Sequence, residues 1–179
     1  MRDLLEILQA MSAKRNEVPN RSELFLDMAE RVVKHVSATF ATKLDEVAIL
    51  VLTVDQRHLR FVAPRKFATL GSIPVSKRDS IAVAVLGRRV GEAMNNVPMV
   101  KHVAFFESVK LRDRVLPIQK MITVPILNGA DAIGVAQISR KGETPGEAGP
   151  DFTAGDVQKA QEIFRAVAPI LLETRPDPF

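Results

Sequence analysis

Two β-rich runs on either side of Asn128-Gly129 constrain this chain more than any other feature. Lys120 to Leu127 and Ala130 to Ser139 both alternate along their length, and Asn and Gly tolerate the positive φ of a tight hairpin turn. A two-residue turn pairs Leu127 with Ala130, which sets Val124 opposite Ile133 and Thr123 opposite Gly134. A four-residue loop keeps the same faces together. One face then carries Ile122, Val124, Ile126, Ile133 and Val135, each worth roughly 1.5–3 kcal/mol if fully buried. The other carries Met121, Thr123, Pro125, Ala132, Gly134 and Ala136, whose small residues leave room for something to approach the sheet.

Helices are expected at both ends. Asp3 and Glu6 fit a capping box, with Leu4, Ile7, Leu8 and Met11 as an apolar stripe. After a polar break, Asn20 and Glu23 repeat the cap signal. Phe25, Met28, Val32, Val36 and Phe40 then recur at helical spacing. Near the far end Thr153 is placed as an N-cap, Asp156 suits the helix dipole, and Phe152 with Val157 forms a hydrophobic staple. Val157, Ala160, Phe164, Val167 and Leu171 continue that stripe, and Pro169 is expected to kink the helix or end its regular part early.

Between the helices, Val47 to Thr53 and Leu59 to Ala63 read as partner strands across Asp55-Gln56-Arg57, with a short strand at Ser72 to Val75. Asp79 to Leu86 is expected to be helical and to end near Gly87. Asn95-Asn96-Val97-Pro98 is turn chemistry, residues 99–116 read as loop with one short helix over 104–109, and Gly142 to Pro150 is a connection.

Composition excludes whole classes of chemistry. The chain of 179 residues is 46% hydrophobic, enough to bury a core. Cysteine is absent, so disulfides, thiolate metal sites, cysteine nucleophiles and thioether-linked cofactors are excluded. No run approaches a membrane span, and Met1-Arg-Asp-Leu-Leu-Glu6 lacks a signal peptide's apolar centre, so a cytoplasmic location is expected. His35, His58 and His102 show no metal-ligand spacing, and neither a Gly-x-Ser-x-Gly elbow nor a P-loop occurs. Glu107, among apolar neighbours, is expected to pair with Lys110 or Lys101 rather than act as a catalytic acid.

Strand, tight turn, strand with a central Gly134, loop, then Phe152-Thr-x-x-Asp156 opening a terminal helix resembles the closing half of a GAF domain. The resemblance covers residues 21 to 173 and is strongest from Lys120 onward. It implies an α+β sandwich: a central antiparallel sheet of five or six strands, helices 21–40 and 154–172 together on one face, and a helix and loop lid on the other. Residues 19–179 form this domain and residues 1–18 an amphipathic helical extension. A stripe on so short a helix needs a cover, and a homodimer through the terminal helices is expected, as the resemblance also implies.

The resemblance places a small-molecule pocket on the lid side of the sheet. Met121 and Thr123 are expected on its floor with Ala136 and Ser139 beside them, and Asn95, His102 and Phe105 are expected to point inward from a lid over 78–106. Among relatives of this fold, free methionine sulfoxide reductases need cysteines and phytochrome-type proteins hold a bilin through one; this chain has none. The Asn-Lys-Phe-Asp-Glu signature of cyclic-nucleotide GAF domains is also missing. No catalysis, cofactor or metal is expected.

Charge is uneven along the chain. From Arg57 to Lys120 thirteen Lys or Arg stand against four Asp or Glu, while the remainder holds twelve against seventeen. The basic middle, including Arg65, Lys66, Lys77, Arg78, Arg88, Arg89, Lys101 and His102, suggests an anionic ligand. The leading expectation is therefore a sensory module for an unidentified small molecule. The alternative is a ligand-free dimerisation or interaction domain. A nucleic-acid-associated regulator comes third, because the chain has no Tyr or Trp for stacking and no helix-turn-helix pattern.

Overall fold

A computed structural model describes residues 1–99, 116–177 and 179. The expected short helix over 104–109, together with Lys101, His102, Phe105, Glu107 and Lys110, lies outside the described residues.

Two helices open the chain, α1 (Arg2–Ala13) and α2 (Arg21–Phe40). The strands β1 (Val47–Leu52), β2 (His58–Ala63) and β3 (Ser72–Pro74) follow, then α3 (Ile81–Arg88) and β4 (Glu92–Met94). The chain closes with β5 (Ile118–Asn128), β6 (Asp131–Lys141) and α4 (Ala154–Thr174). All pairings are antiparallel in one six-stranded sheet ordered β3-β2-β1-β6-β5-β4. Every residue of β1 is buried, as befits a central strand covered on both faces.

The terminal helices share one side of this sheet, as expected. Phe25, Met28, Val32 and Val36 of α2 join Phe164, Val167 and Leu171 of α4 over Val47, Ile49, Val51, Ile122, Val124, Ile126 and Ile138. Local chemistry starts both helices. The Asn20 side chain accepts from Glu23 N at 3.1 Å. Thr153 and Asp156 form a reciprocal capping box, with Asp156 N donating to Thr153 Oγ1 at 3.1 Å and Thr153 N to Asp156 Oδ2 at 2.8 Å. Phe152 is buried beneath that cap with Val157 against the same core. Pro169 does not end α4: its side chain is exposed and the helix runs on to Thr174.

α1 departs from expectation at its start. Met1 is the N-cap without a side-chain bond, and Glu6 accepts from Arg2 Nε at 3.1 Å instead of closing a box with Asp3. Most of its stripe is covered within the chain, since α1 packs on α2 and α4 and buries Leu4 and Leu8, while Ile7 of the same stripe stays 43% exposed. Arg15 pairs with Glu173 at 2.9 Å, and Ser12 Oγ donates to the same carboxylate.

The hairpin register also differs. Asn128 pairs with Asp131 and Leu127 with Ala132, so Gly129 and Ala130 occupy the turn. Beyond it a bulge shifts the register: Ile126 lies opposite Gly134, Val124 opposite Ala136 and Thr123 opposite Gln137. An extra residue in one strand turns every later side chain of that strand to the other face. Val135 consequently joins the lid-side cluster, while Ala136 and Ile138 join the terminal-helix core. The cause sits at Gly134. A Cβ there would lie 2.2 Å from the Leu50 carbonyl oxygen and 3.1 Å from Val51 Cα, so β1's backbone occupies the space a side chain would need.

Candidate functional site

The bulge decides what the lid side of the sheet presents. Thr123 and Gln137 lie side by side across β5 and β6, each 1% exposed, with Gln137 Nε2 donating to Thr123 Oγ1 at 3.3 Å. Gln137 Oε1 is buried and has no hydrogen-bond partner among the described residues. A carboxamide oxygen taken from water without a partner costs roughly 1–3 kcal/mol, so this pair is a polar island in an apolar setting. Met121 and Val135 adjoin it in the sheet, with Leu50 and Leu52 from β1 and Leu59 and Phe61 from β2 completing the lid-side cluster. Across from them α3 supplies Ala82, Val83 and Leu86. Its N-terminus is set by buried Ser80, whose Oγ accepts from Val83 N at 3.3 Å.

The expected site residues separate into three groups. Met121 and Thr123 stand on the lid side as predicted. Ser139 shares that side, opposite Met121, but its hydroxyl donates to the Glu46 carbonyl at 3.0 Å and ties β6 to the segment entering β1. Ala136 is corrected to the terminal-helix core, and Gln137 takes its expected place. Asn95 is corrected as well. Its amide donates to the Phe152 carbonyl at 2.9 Å and its oxygen accepts from Phe152 N at 2.8 Å, so both polar ends clamp the segment before α4. Gly134 admits a neighbouring strand rather than a ligand. His102 and Phe105 lie outside the described residues. A signal for Gln137 was present in the sequence: a lone carboxamide inside Val135-Ala-Gln-Ile138, just after a mid-strand Gly that marks a bulge.

The basic middle is distributed rather than gathered at Thr123. Arg65 reaches back to α2, with Nη1 on Glu23 and Nη2 on Asp27, both at 2.7 Å. These two carboxylates hold the guanidinium pKa above its ordinary value. Lys66 lies 3.4 Å from Asp45, and Lys141 lies 3.6 Å from the same oxygen. Partial burial alone would raise the Asp45 pKa, but the two ammonium groups outweigh it and the net shift is downward. Arg88 pairs with Glu92 at 2.7 Å. Lys120 faces the terminal helices and meets Asp151 at 2.7 Å. Carboxylates from the flanks thus pair with Arg65, Lys66 and Lys120 of the basic middle, while Arg88 is paired within it.

His35 sits on the surface of α2, where partial burial, together with nearby positive charge, lowers its pKa. Among the described residues no group of His, Asp or Glu is arranged to hold a metal, and no helix is long and apolar enough to cross a membrane.

This arrangement of helices and sheet matches solved structures along nearly the full chain. The GAF domain of an Acinetobacter phosphoenolpyruvate-protein phosphotransferase aligns with a TM-score of 0.62 and 13% identity, covering 94% of this chain and 92% of that one. The corresponding GAF domain from Coxiella burnetii gives a TM-score of 0.64 at 12% identity, covering 96% and 94%. The chain has the GAF fold. A type II free methionine-R-sulfoxide reductase from Thermoplasma acidophilum also aligns, with a TM-score of 0.59, 15% identity and coverage of 87% and 97%. At such identities the GAF likeness is one of fold. No protein-family model and no curated protein matches the sequence.

Proposed function

We propose that this GAF-fold chain is a non-catalytic regulatory domain that senses a small molecule bound between α3 and the Thr123–Gln137 face. The observation that carries the reading is the buried Gln137 carboxamide on the side of the sheet away from the terminal helices, whose oxygen has no partner among the described residues. A ligand that completes this carboxamide turns an unfavourable burial into recognition. An apolar surround with one or two placed polar groups is the usual make-up of such sites. Absence of cysteine supports a sensor over a thiol-based reductase on the same fold.

The finer parts of the proposal rest on less local observations. Negative charge on the ligand draws on the overall field of the basic middle, because Arg65, Lys66 and Arg88 are already paired. Assembly as a homodimer draws on Ile7, which is 43% exposed on the outer side of α1. The chain is proposed to act in the cytoplasm.

Native mass spectrometry of the purified chain tests the reading, with Gln137→Met and Thr123→Phe alongside. A co-purifying small molecule on the parent protein, lost from both folded variants, is the expected result. A molecule retained by Gln137→Met, or no molecule together with unfolding of Thr123→Phe, assigns this face to packed core and favours the ligand-free interaction domain.

A further inference from the structure

A cleft opens at the end of the sheet where the β1–β2 turn meets the β5–β6 turn, with a volume near 260 Å³. It is separate from the Thr123–Gln137 face. Arg89 enters from the C-terminus of α3 and Arg175 from the C-terminus of α4, while Thr53, Gln56, Asn128 and Asp131 add polar groups from the two turns. Among the described residues neither arginine is ion-paired. Arg175 Nη1 donates to the Leu52 carbonyl at 2.9 Å, which fixes the guanidinium at the cleft while leaving other N–H groups available. Asp131 offsets one of the two charges, so the cleft is net positive.

Two residues of this cleft also hold their side chains on left-handed backbone. Three non-glycine residues among those described have positive φ, and two of them, Gln56 and Arg89 at 58° each, line this cleft. Left-handed conformations are disfavoured for residues carrying a Cβ and tend to persist where a side chain is needed in position. At the end of α3 glycine would be the ordinary C-cap, yet arginine stands there.

We propose that this cleft is a second binding site, for a small molecule bearing a phosphate or carboxylate group clamped between Arg89 and Arg175. Planar guanidinium groups match such oxyanions through paired N–H donors. Asp131 and Asn128 would accept hydrogen bonds from hydroxyl or ammonium groups on the same molecule. Occupancy would tie α3, on the lid side, to α4, on the terminal-helix side, through one anion.

The test is a titration of the full chain with inorganic phosphate and, separately, with succinate, followed by two-dimensional amide NMR. Saturable shifts confined to the two turns and to Arg89 and Arg175 are expected, and the tighter anion identifies the group recognised. Arg89→Gly removes the guanidinium while suiting the left-handed backbone, so this variant should fold at least as well as the parent. Its affinity should fall about tenfold or more, the worth of one charge-assisted hydrogen bond. Arg175→Gln should act alike. The proposal is overturned if neither anion gives saturable shifts at the cleft, or if Arg89→Gly binds both as the parent does.

Discussion

The two faces of the same sheet are built on different terms. Toward α1, α2 and α4 the buried surface is mostly aliphatic and aromatic, with Phe25 of α2 and Phe164 of α4 clustered over Ile49, Ile122, Ile126 and Ile138. Toward α3 the buried surface includes Thr123 and Gln137, with one carboxamide oxygen left without a partner among the described residues. A core made for stability alone would carry a hydrophobic residue at 137, because burying an unsatisfied polar atom is costly. The difference teaches that one face holds the fold together while the other gives up some stability to keep a polar group inside.

The largest expected effect is on the terminal-helix face. Phe164→Ala removes a fully buried ring and should lower unfolding stability by about 3–5 kcal/mol in urea titrations. Gln137→Met on the other face should leave stability unchanged or raise it by about 1 kcal/mol, since the orphaned oxygen disappears with little change of volume. Equal losses from both variants would erase the distinction between the faces.

Gly134→Ala comes next, at the bulge that sorts side chains between the faces. Its new Cβ would meet the Leu50 carbonyl oxygen at 2.2 Å, a backbone atom that cannot rotate away. Destabilisation of about 1–3 kcal/mol is expected, with changed amide shifts on both β1 and β6. An unperturbed melting temperature would show that the strands separate easily there.

The smallest effect belongs to the cap that starts α4. Hydrogen bonding from the Thr153 backbone N–H leads the influences that hold the Asp156 pKa below the ordinary aspartate value. A depressed carboxylate stabilises the fold above the unfolded-state pKa and loses that contribution as pH falls through the folded one. Asp156→Asn should therefore melt slightly below the parent at neutral pH, with the gap closing as the solution is acidified below the usual carboxylate range. A gap independent of pH would assign the effect to geometry instead of charge.

What was legible in the sequence was local. Asn20 and Thr153 cap their helices as read, because a cap depends on residues within one turn. The partner strands of the hairpin, and the stripes that bring α2 and α4 onto one face, follow from short-range periodicity. The GAF likeness rested on the same local pattern around residues 120–156. Where the expectation failed, the deciding atom came from far along the chain. β1's approach at Leu50 sets the bulge at Gly134, and that bulge turns Ala136 away and brings Gln137 to Thr123. Asn95 is claimed by Phe152 across 57 positions, and Leu4 and Leu8 of α1's stripe are covered by α2 and α4. Alternation along one strand carries no record of a neighbouring strand's backbone, so the sequence determined the elements and their apolar faces. Tertiary contact alone decided which polar side chains those faces enclose.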